Sequence, residues 1–353
     1  MTTPPLRVLL VITKGEIGGA QTHVIELCRA LQGQVNFSAV IGGNKESFLA
    51  DALQALGVHT TVLPGLRNSL NPLRLLASLR ALLAHLRTHP CDLIHVHSAV
   101  AGVVARLAGK LQQIAVVYTV HGFGFKPQAP LLIRLNAWLA EALLAAWTTR
   151  MVCVSEYEKS LASRLPMDQT RASVIPNAIA DVGWRSKQQG QQPGIVMVAR
   201  MAAPKRHDLL LEALGLLAAD GICPEVSLVG DGPHRQAHEQ LAARCGLAQV
   251  RFVGDVDNVA ERLAQHQIFV LLSDHEGLPM SLIEAMRAGM AIVASRLPGV
   301  LELLQDGESA LLVANDPTEI SHALRRLLDD EAMRLRLATQ ARQCYETRHR
   351  PQA

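Results

Sequence analysis

Residues 268–289 read IFVLLSDHEGLPMSLIEAMRAG, a change of texture from one kind of element to another. The run 268–273 is apolar and has the length of a buried strand. Residues 281–289 carry the spacing of a helix that stops at Gly289. Between them lies a short loop with a glycine and a proline. A strand, a loop and a helix start in that order place backbone N–H groups and a positive dipole end at the carboxyl edge of a sheet, where a phosphate is well held. Glu276 and Glu284 flank the helix start. Two carboxylates repel a phosphate, so they read instead as acceptors for the hydroxyls of a sugar or ribose. The stretch points to a ligand that joins phosphate and sugar, a nucleotide sugar.

Outward from this loop the same alternation runs along the chain. Segments 8–12, 37–41, 60–63, 93–96, 115–120, 152–154 and 172–175 read as strands, and 20–31, 47–56, 70–87 and 99–111 as helices. A second series opens at 195–199 and continues through 317–330. Short apolar runs alternating with amphipathic helices specify βαβ units and parallel sheets. The expected fold is α/β, with two doubly wound Rossmann-like domains and a ligand in the cleft between them. The expected limits are a first domain over 1–180, a linker or exposed loop over 181–193 (DVGWRSKQQGQQP), a second domain over 194–335 and a tail helix over 336–353. No closing element follows that tail, which suits a natural chain longer than this one.

The chain has 353 residues, long enough for two cores, which must be built from aliphatic side chains because aromatics make up only 3%. Six cysteines show no paired or zinc-like spacing and read as small buried hydrophobes in a reducing compartment. No signal peptide is visible. The longest apolar stretch, 130–149, is interrupted by Arg134, Asn136 and Glu141 and is too polar to span a bilayer. A cytoplasmic protein is expected. Residues 1–180 hold 16 Lys/Arg against 9 Asp/Glu, a net of +7, whereas 181–353 hold 18 against 22, a net of −4. The basic half lacks any nucleic-acid motif, so nucleic acid is set aside. The apolar stretch 130–149 with Lys126, Arg134 and Arg150 beside it fits an anionic membrane surface, or else an ordinary buried helix edge.

Further clusters sit at strand ends in the second half. Arg200 closes a buried strand and Lys205 follows just before a helix, a pair suited to clamping a diphosphate or to lying on a solvated loop. Gly230 and Gly232 in VGDGP, and Gly254 in FVGDV, lie at neighbouring strand ends where a ligand could approach the backbone. His95 and His97 share one face of a strand and with His121 could form a metal site; polar residues facing an acceptor are the favoured reading. Arg74, Arg80 and Arg87 read as a solvated helix face, Asp92 as structural, and Asp329 and Asp330 as surface.

The ordered set GEIGGAQTH (15–23), DLIHVHS (92–98), VYTVHGF (117–123), VIPNAI (174–179), VARMAAPKRH (198–207), LVGDGP (228–233), FVGDVDN (252–258) and EGLPMSLIEAMRAGMAIVAS (276–295) resembles the retaining nucleotide-sugar glycosyltransferases of family four, which have the GT-B architecture. The resemblance implies that Arg200 and Lys205 hold the donor diphosphate and stabilise charge on the leaving nucleotide. It implies that Glu276 meets the donor sugar and that backbone groups of Gly277, Leu278, Pro279 and Met280 meet diphosphate or sugar. Glu284, expected in the first helical turn, would bind both ribose hydroxyls. Gly230 and Val253 would lie along the donor pocket, Val253 beside the base. In the first domain Gly18 and Gly19 would open a helix toward the cleft, His121 would stand beside the reacting sugar, and Asn177 would touch the ligand less directly.

The resemblance further implies a metal-independent enzyme without a cofactor. It would move a sugar from a nucleoside-diphosphate donor, UDP-sugar first, to a glycan or polyprenyl-diphosphate-linked acceptor in cell-envelope polysaccharide or lipopolysaccharide synthesis. Three rivals stand beside it. A nucleotide-sugar epimerase needs an acid/base set that the chain does not display. An inactive subunit that binds or activates a partner would be marked by loss of the phosphate cations or Glu276, yet Arg200, Lys205, Glu276, Glu284 and His121 are all present. A membrane-surface or nucleic-acid binder would show steep salt dependence without sugar turnover.

Overall fold

The computed structural model describes residues 4–43, 47–66, 69, 71–127, 129–187 and 193–351. Residue 70 of the expected third helix and 188–192 of the expected linker lie outside them. The chain divides into two compact units, Met1–Asn177 and Ala178–Ala353.

The first unit alternates β1 (Leu6–Ile12), α1 (Gly19–Ala30), β2 (Val35–Gly42), α2 (Phe48–Ala55), β3 (His59–Leu63), α3 (Pro72–Thr88), β4 (Leu93–Val96), α4 (Ala99–Gln112), β5 (Ala115–Val120), α5 (Leu131–Ala145), β6 (Arg150–Cys153), α6 (Glu156–Ala162) and β7 (Ala172–Val174). The strands form one parallel sheet in the order β3-β2-β1-β4-β5-β6-β7. Side chains alternate across β1, so Val8, Leu10 and Ile12 pack under α1 and α2. Leu9 and Val11 face the other layer, with Leu82 and Leu86 of α3 and Val104 and Ala108 of α4. Each such side chain, fully buried, contributes about 1.5–3 kcal/mol. Helix starts are set locally: Ser47 caps α2, Asn71 with Pro72 opens α3, and Ser155 caps α6.

The second unit runs β8 (Ile195–Val198), α7 (His207–Ala219), β9 (Val226–Val229), α8 (Arg235–Arg244), β10 (Val250–Gly254), α9 (Val259–Ala264), β11 (Ile268–Leu271), α10 (Met280–Ala288), β12 (Ala291–Ser295), α11 (Pro298–Leu301), β13 (Leu311–Val313), α12 (Pro317–Asp329) and α13 (Glu331–Arg348). Its parallel sheet has the order β10-β9-β8-β11-β12-β13. Strands β9, β11 and β12 are buried throughout, as continuous apolar runs between two helical layers must be. In both sheets the strand order reverses once, between β1 and β4 and between β8 and β11. Loops diverge there and leave a crevice at the carboxyl edge.

Residues 181–187, read from sequence as linker, lie along the second unit. Asp181 pairs with Arg342 of α13, the Ser186 amide donates to the Ala288 carbonyl at 2.8 Å, and the Gln267 side chain donates to the Lys187 carbonyl. Helix α13 packs on α10 and β12, with Tyr345 wholly buried and its hydroxyl donating to the Ile179 carbonyl at 2.9 Å. All six cysteines are unpaired; Cys28 and Cys153 are buried as expected, whereas Cys223 is exposed. Among the described residues no helix is long and apolar enough to cross a membrane.

Candidate functional site

In the second unit the crevice between β8 and β11 gathers most of the residues singled out from the sequence. The chain leaves β8 through Ala199 and Arg200, turns, and returns so that Lys205 pairs its backbone with Ser273. The turn is tied down on both sides. The Met201 amide donates to the Asp231 carbonyl at 2.9 Å, the Arg206 amide to Leu272 at 3.0 Å, and the Asp274 amide to Pro204 at 3.0 Å. This brings the Lys205 ammonium to 2.5 Å from Glu276 Oε1, both side chains largely withdrawn from solvent. The sequence reading gave these two separate duties toward a ligand; here they are joined directly. Arg200 stands exposed at the mouth of the same turn. Beside it Arg206 holds Asp208 at 2.7 Å and Asp274 at 3.1 Å, and these hydrogen bonds, Asp208 foremost, raise its pKa.

The loop Glu276-Gly277-Leu278 feeds α10. Pro279, with extended backbone, occupies the N-cap and offers no side-chain acceptor to the first turn. The helix start therefore leaves its leading N–H groups for whatever lies in front of it. Leu278 and Met280 are buried and anchor the loop from below. The helix begins at Met280, one residue earlier than expected, so Glu284 is its fifth residue and not in the first turn. The correction follows from Pro279, whose fixed φ suits a helix boundary. Helix α10 ends at Gly289, as read.

Two glycines make the loops fit. Gly230, at the end of β9, has φ +121°, and a Cβ there would stand 2.3 Å from the Ala199 carbonyl oxygen. Its amide donates to the Gly254 carbonyl at 2.8 Å, where β10 shifts register across Val253. Gly230 and Val253 thus share one corner, with Arg235 reaching the Phe252 carbonyl at 3.1 Å. Gly299, at the start of α11, would place a Cβ 1.9 Å from the Gly277 oxygen. The sequence reading passed over Gly299; the Pro298-Gly299 dipeptide was the available signal. It also passed over a relay in which the Ser273 amide donates to Ser295 Oγ at 3.0 Å, and Ser295 meets Asn315 Oδ1 at 2.6 Å.

In the first unit, Gly18 and Gly19 open α1 as expected, with Gly18 extended at the N-cap. Thr13, leaving β1, is joined to Ser98 after β4 at 3.0 Å, which holds the two diverging loops together. Four histidines cluster on this edge. His23 of α1 bonds through Nδ1 to Asn177 Oδ1 at 3.0 Å, and His97 Nδ1 lies 3.4 Å from His121 Nε2. His95 turns to Thr119 Oγ1 at 2.7 Å. Ligand atoms of His23, His97 and His121 lie within 4.8 Å of one another. The grouping differs from the His95, His97 and His121 set read from the strand, because α1 crosses over the sheet edge and inserts His23. Burial pushes His23 down to about 4 and His95 to about 3, and holds His97 and His121 well below the usual histidine range. The cluster is neutral at pH 7, able to exchange hydrogen bonds with an uncharged hydroxyl.

The loop after His121 is braced from beneath. Glu158 accepts from the Phe123 amide at 3.0 Å and pairs with Lys126 at 2.5 Å, and both charged groups are buried. Lys126 was expected to flank the apolar stretch as a surface cation; the partner Glu158, invisible to local pattern, draws it inside. Arg74, Arg80 and Arg87 remain on the exposed face of α3, as read. Asp92 binds Arg7 through side chain and amide, a structural role.

Known proteins resemble this chain in sequence and in fold. The O-antigen biosynthesis glycosyltransferase WbnH of Escherichia coli is 28% identical over 323 residues, covering 91% of this chain and 89% of its own. The UDP-Gal:alpha-D-GlcNAc-diphosphoundecaprenol alpha-1,3-galactosyltransferase of E. coli is 27% identical, covering 88% and 84%. Among solved structures, Anabaena HepE in complex with UDP-glucose superposes with a TM-score of 0.82 at 20% identity, covering 98% and 96%. The fold is thus the GT-B one, two parallel-sheet Rossmann-like units. The family model Glycosyltransferase Family 4 matches residues 17–181 and Glycosyl transferases group 1 matches 183–344, and with its sequence motifs in order and its fold shared, the chain belongs to glycosyltransferase family four.

Proposed function

We propose that this glycosyltransferase moves a sugar from a nucleoside-diphosphate donor, UDP-sugar first, to a glycan or polyprenyl-diphosphate-linked acceptor in cell-envelope polysaccharide or lipopolysaccharide synthesis. The observation that carries the reading is the Lys205–Glu276 pair, set at the crevice of the second sheet in front of the α10 N-terminus. A diphosphate arriving there meets Lys205, Arg200 and the first amides of α10. Glu276, released from Lys205 by the incoming anion, turns its carboxylate to the sugar hydroxyls. Glu284, one turn further along α10, receives the ribose. Relatives and neighbours named for UDP-linked sugars favour UDP as the nucleotide.

Transfer proceeds with retention. The bond from the anomeric carbon to the phosphate oxygen breaks while the acceptor oxygen bonds to the same face, and the acceptor proton passes to the departing diphosphate. Lys205 and Arg200 stabilise the charge that develops on that leaving group, so no metal or cofactor is required. The family resemblance gives the neutral His121 its role toward the reacting sugar. The enzyme works in the cytoplasm, at the inner face of the cell membrane. The test is a transfer assay in EDTA with a UDP-sugar and a lipid-linked acceptor, with the product's anomeric configuration read by NMR. An axial linkage from an axial donor supports the reading; an inverted product, or activity abolished by EDTA, contradicts it.

A further inference from the structure

Helix α5 reads LLIRLNAWLAEALLA, and its packing leaves the larger apolar side outward. Leu131, Leu135, Leu139 and Leu143, spaced by four, form one ridge along about 18 Å of helix. Leu131 and Leu132 are 73% and 75% exposed and Leu143 66%, with Ile133 and Trp138 beside them. The inward face is the modest one: Ala137, Ala142, Leu144 and Ala145. The only carboxylate of the helix, Glu141, is turned inward to Arg106 at 2.8 Å. The outer face therefore carries leucines, Ile133, a tryptophan and the uncharged Asn136, with Arg134 half-buried beside them, and no anion.

Cations border this face. The Trp138 indole donates to the Arg164 carbonyl at 3.2 Å, which sets exposed Arg164 next to the helix. At the far end a cavity of about 730 Å³ is lined by Lys110, Trp147, Arg150 and Arg171. The one acid lining it, Asp168, is occupied in capping the Thr170 amide at 3.0 Å. An apolar ridge with tryptophan and bordering cations matches the boundary between anionic headgroups and acyl chains. We propose that α5 is the surface on which this protein lies against an anionic phospholipid bilayer, leucines in the acyl boundary and Arg134, Arg150 and Arg164 among the headgroups. The proposal rests on the lipid-linked acceptor reading and deepens it. Leu131 follows His121 by ten residues at the same sheet edge, so docking through α5 brings that edge to the headgroups, where a lipid-linked acceptor presents its sugar.

The test is co-sedimentation of the full chain with phosphatidylglycerol vesicles and with phosphatidylcholine vesicles, beside the double variant Leu132→Glu/Leu135→Glu. The wild type is expected to sediment with phosphatidylglycerol, less with added salt, and weakly with phosphatidylcholine. The variant is expected to lose roughly tenfold or more of that partitioning, with circular dichroism and nucleotide release from a soluble donor unchanged. A wild type that stays in the supernatant, or a variant that sediments equally, overturns the proposal. So does a wild-type dimer at sedimentation equilibrium that the variant does not form, since a second copy would then cover the face. Vesicle binding without nucleotide release from any donor would sustain the docking surface and count against the transferase reading alone.

Discussion

Lys205 and Glu276 lie 71 residues apart and meet only because β8 and β11 are neighbours in the sheet. Each reads as a candidate site residue from its own surroundings, a strand end followed by a helix start. Their contact was not, since strand order is a tertiary fact. Removing one partner leaves the other charge half-buried, so Glu276→Ala should cost about 1–3 kcal/mol of stability, a fall in Tm readable by thermal denaturation. Lys205→Met should lower the turnover number by about 10²–10³-fold, measured as nucleotide release at saturating donor. Gly299 illustrates what local pattern leaves out: its importance lies in the 1.9 Å a Cβ would leave to Gly277. Gly299→Ala should push the loop in front of α10 aside and raise the donor KM roughly tenfold or more, a free-energy change of about 1.4 kcal/mol, while the circular dichroism spectrum stays that of the wild type.

At the scale of elements, the alternation of period made most strands and helices legible, because parallel strands buried on both faces are short unbroken apolar runs. Helix α6 escaped, since Glu156, Glu158 and Lys159 leave a seven-residue segment without an apolar stripe. The apolar stretch 130–149 was legible as a surface or a buried edge, and which of the two it is depends on Ala137 and Ala142 taking the inward side. The tail, read from 336 onward, is part of the eighteen-residue α13 and of the second core. Tyr345 is wholly buried with its hydroxyl on Ile179. Tyr345→Ala should cost about 3–5 kcal/mol through the cavity it leaves, measured by urea denaturation, and Tyr345→Phe only about 1 kcal/mol for the lost hydrogen bond.

For the molecule as a whole, buried neutral histidines tie stability to pH. Unfolded histidines take a proton near pH 6.5, whereas folded His23 does so near 4 and His95 and His207 near 3. Between those values the unfolded state binds more protons, so stability is full above pH 6.5 and is lost as pH falls toward 3. Thermal denaturation at half-unit steps should show Tm declining through this window. Asp92 and Asp181, held down to about 2 by their arginines, add their loss only below pH 4. The charge division of +7 and −4 was visible in composition; the burial of Lys126 and Glu158 within it was not. The central claim is that the second unit's crevice binds a nucleotide sugar through Lys205 and Glu276 and breaks its anomeric bond. The most direct measurement is nucleotide release from a panel of UDP-, GDP- and ADP-sugars by the wild type and by Glu276→Ala. Slow release from one UDP-sugar by the wild type, absent in the variant, is the predicted result; equal release by both proteins, or neither turnover nor a rise in Tm with any nucleotide, would contradict it.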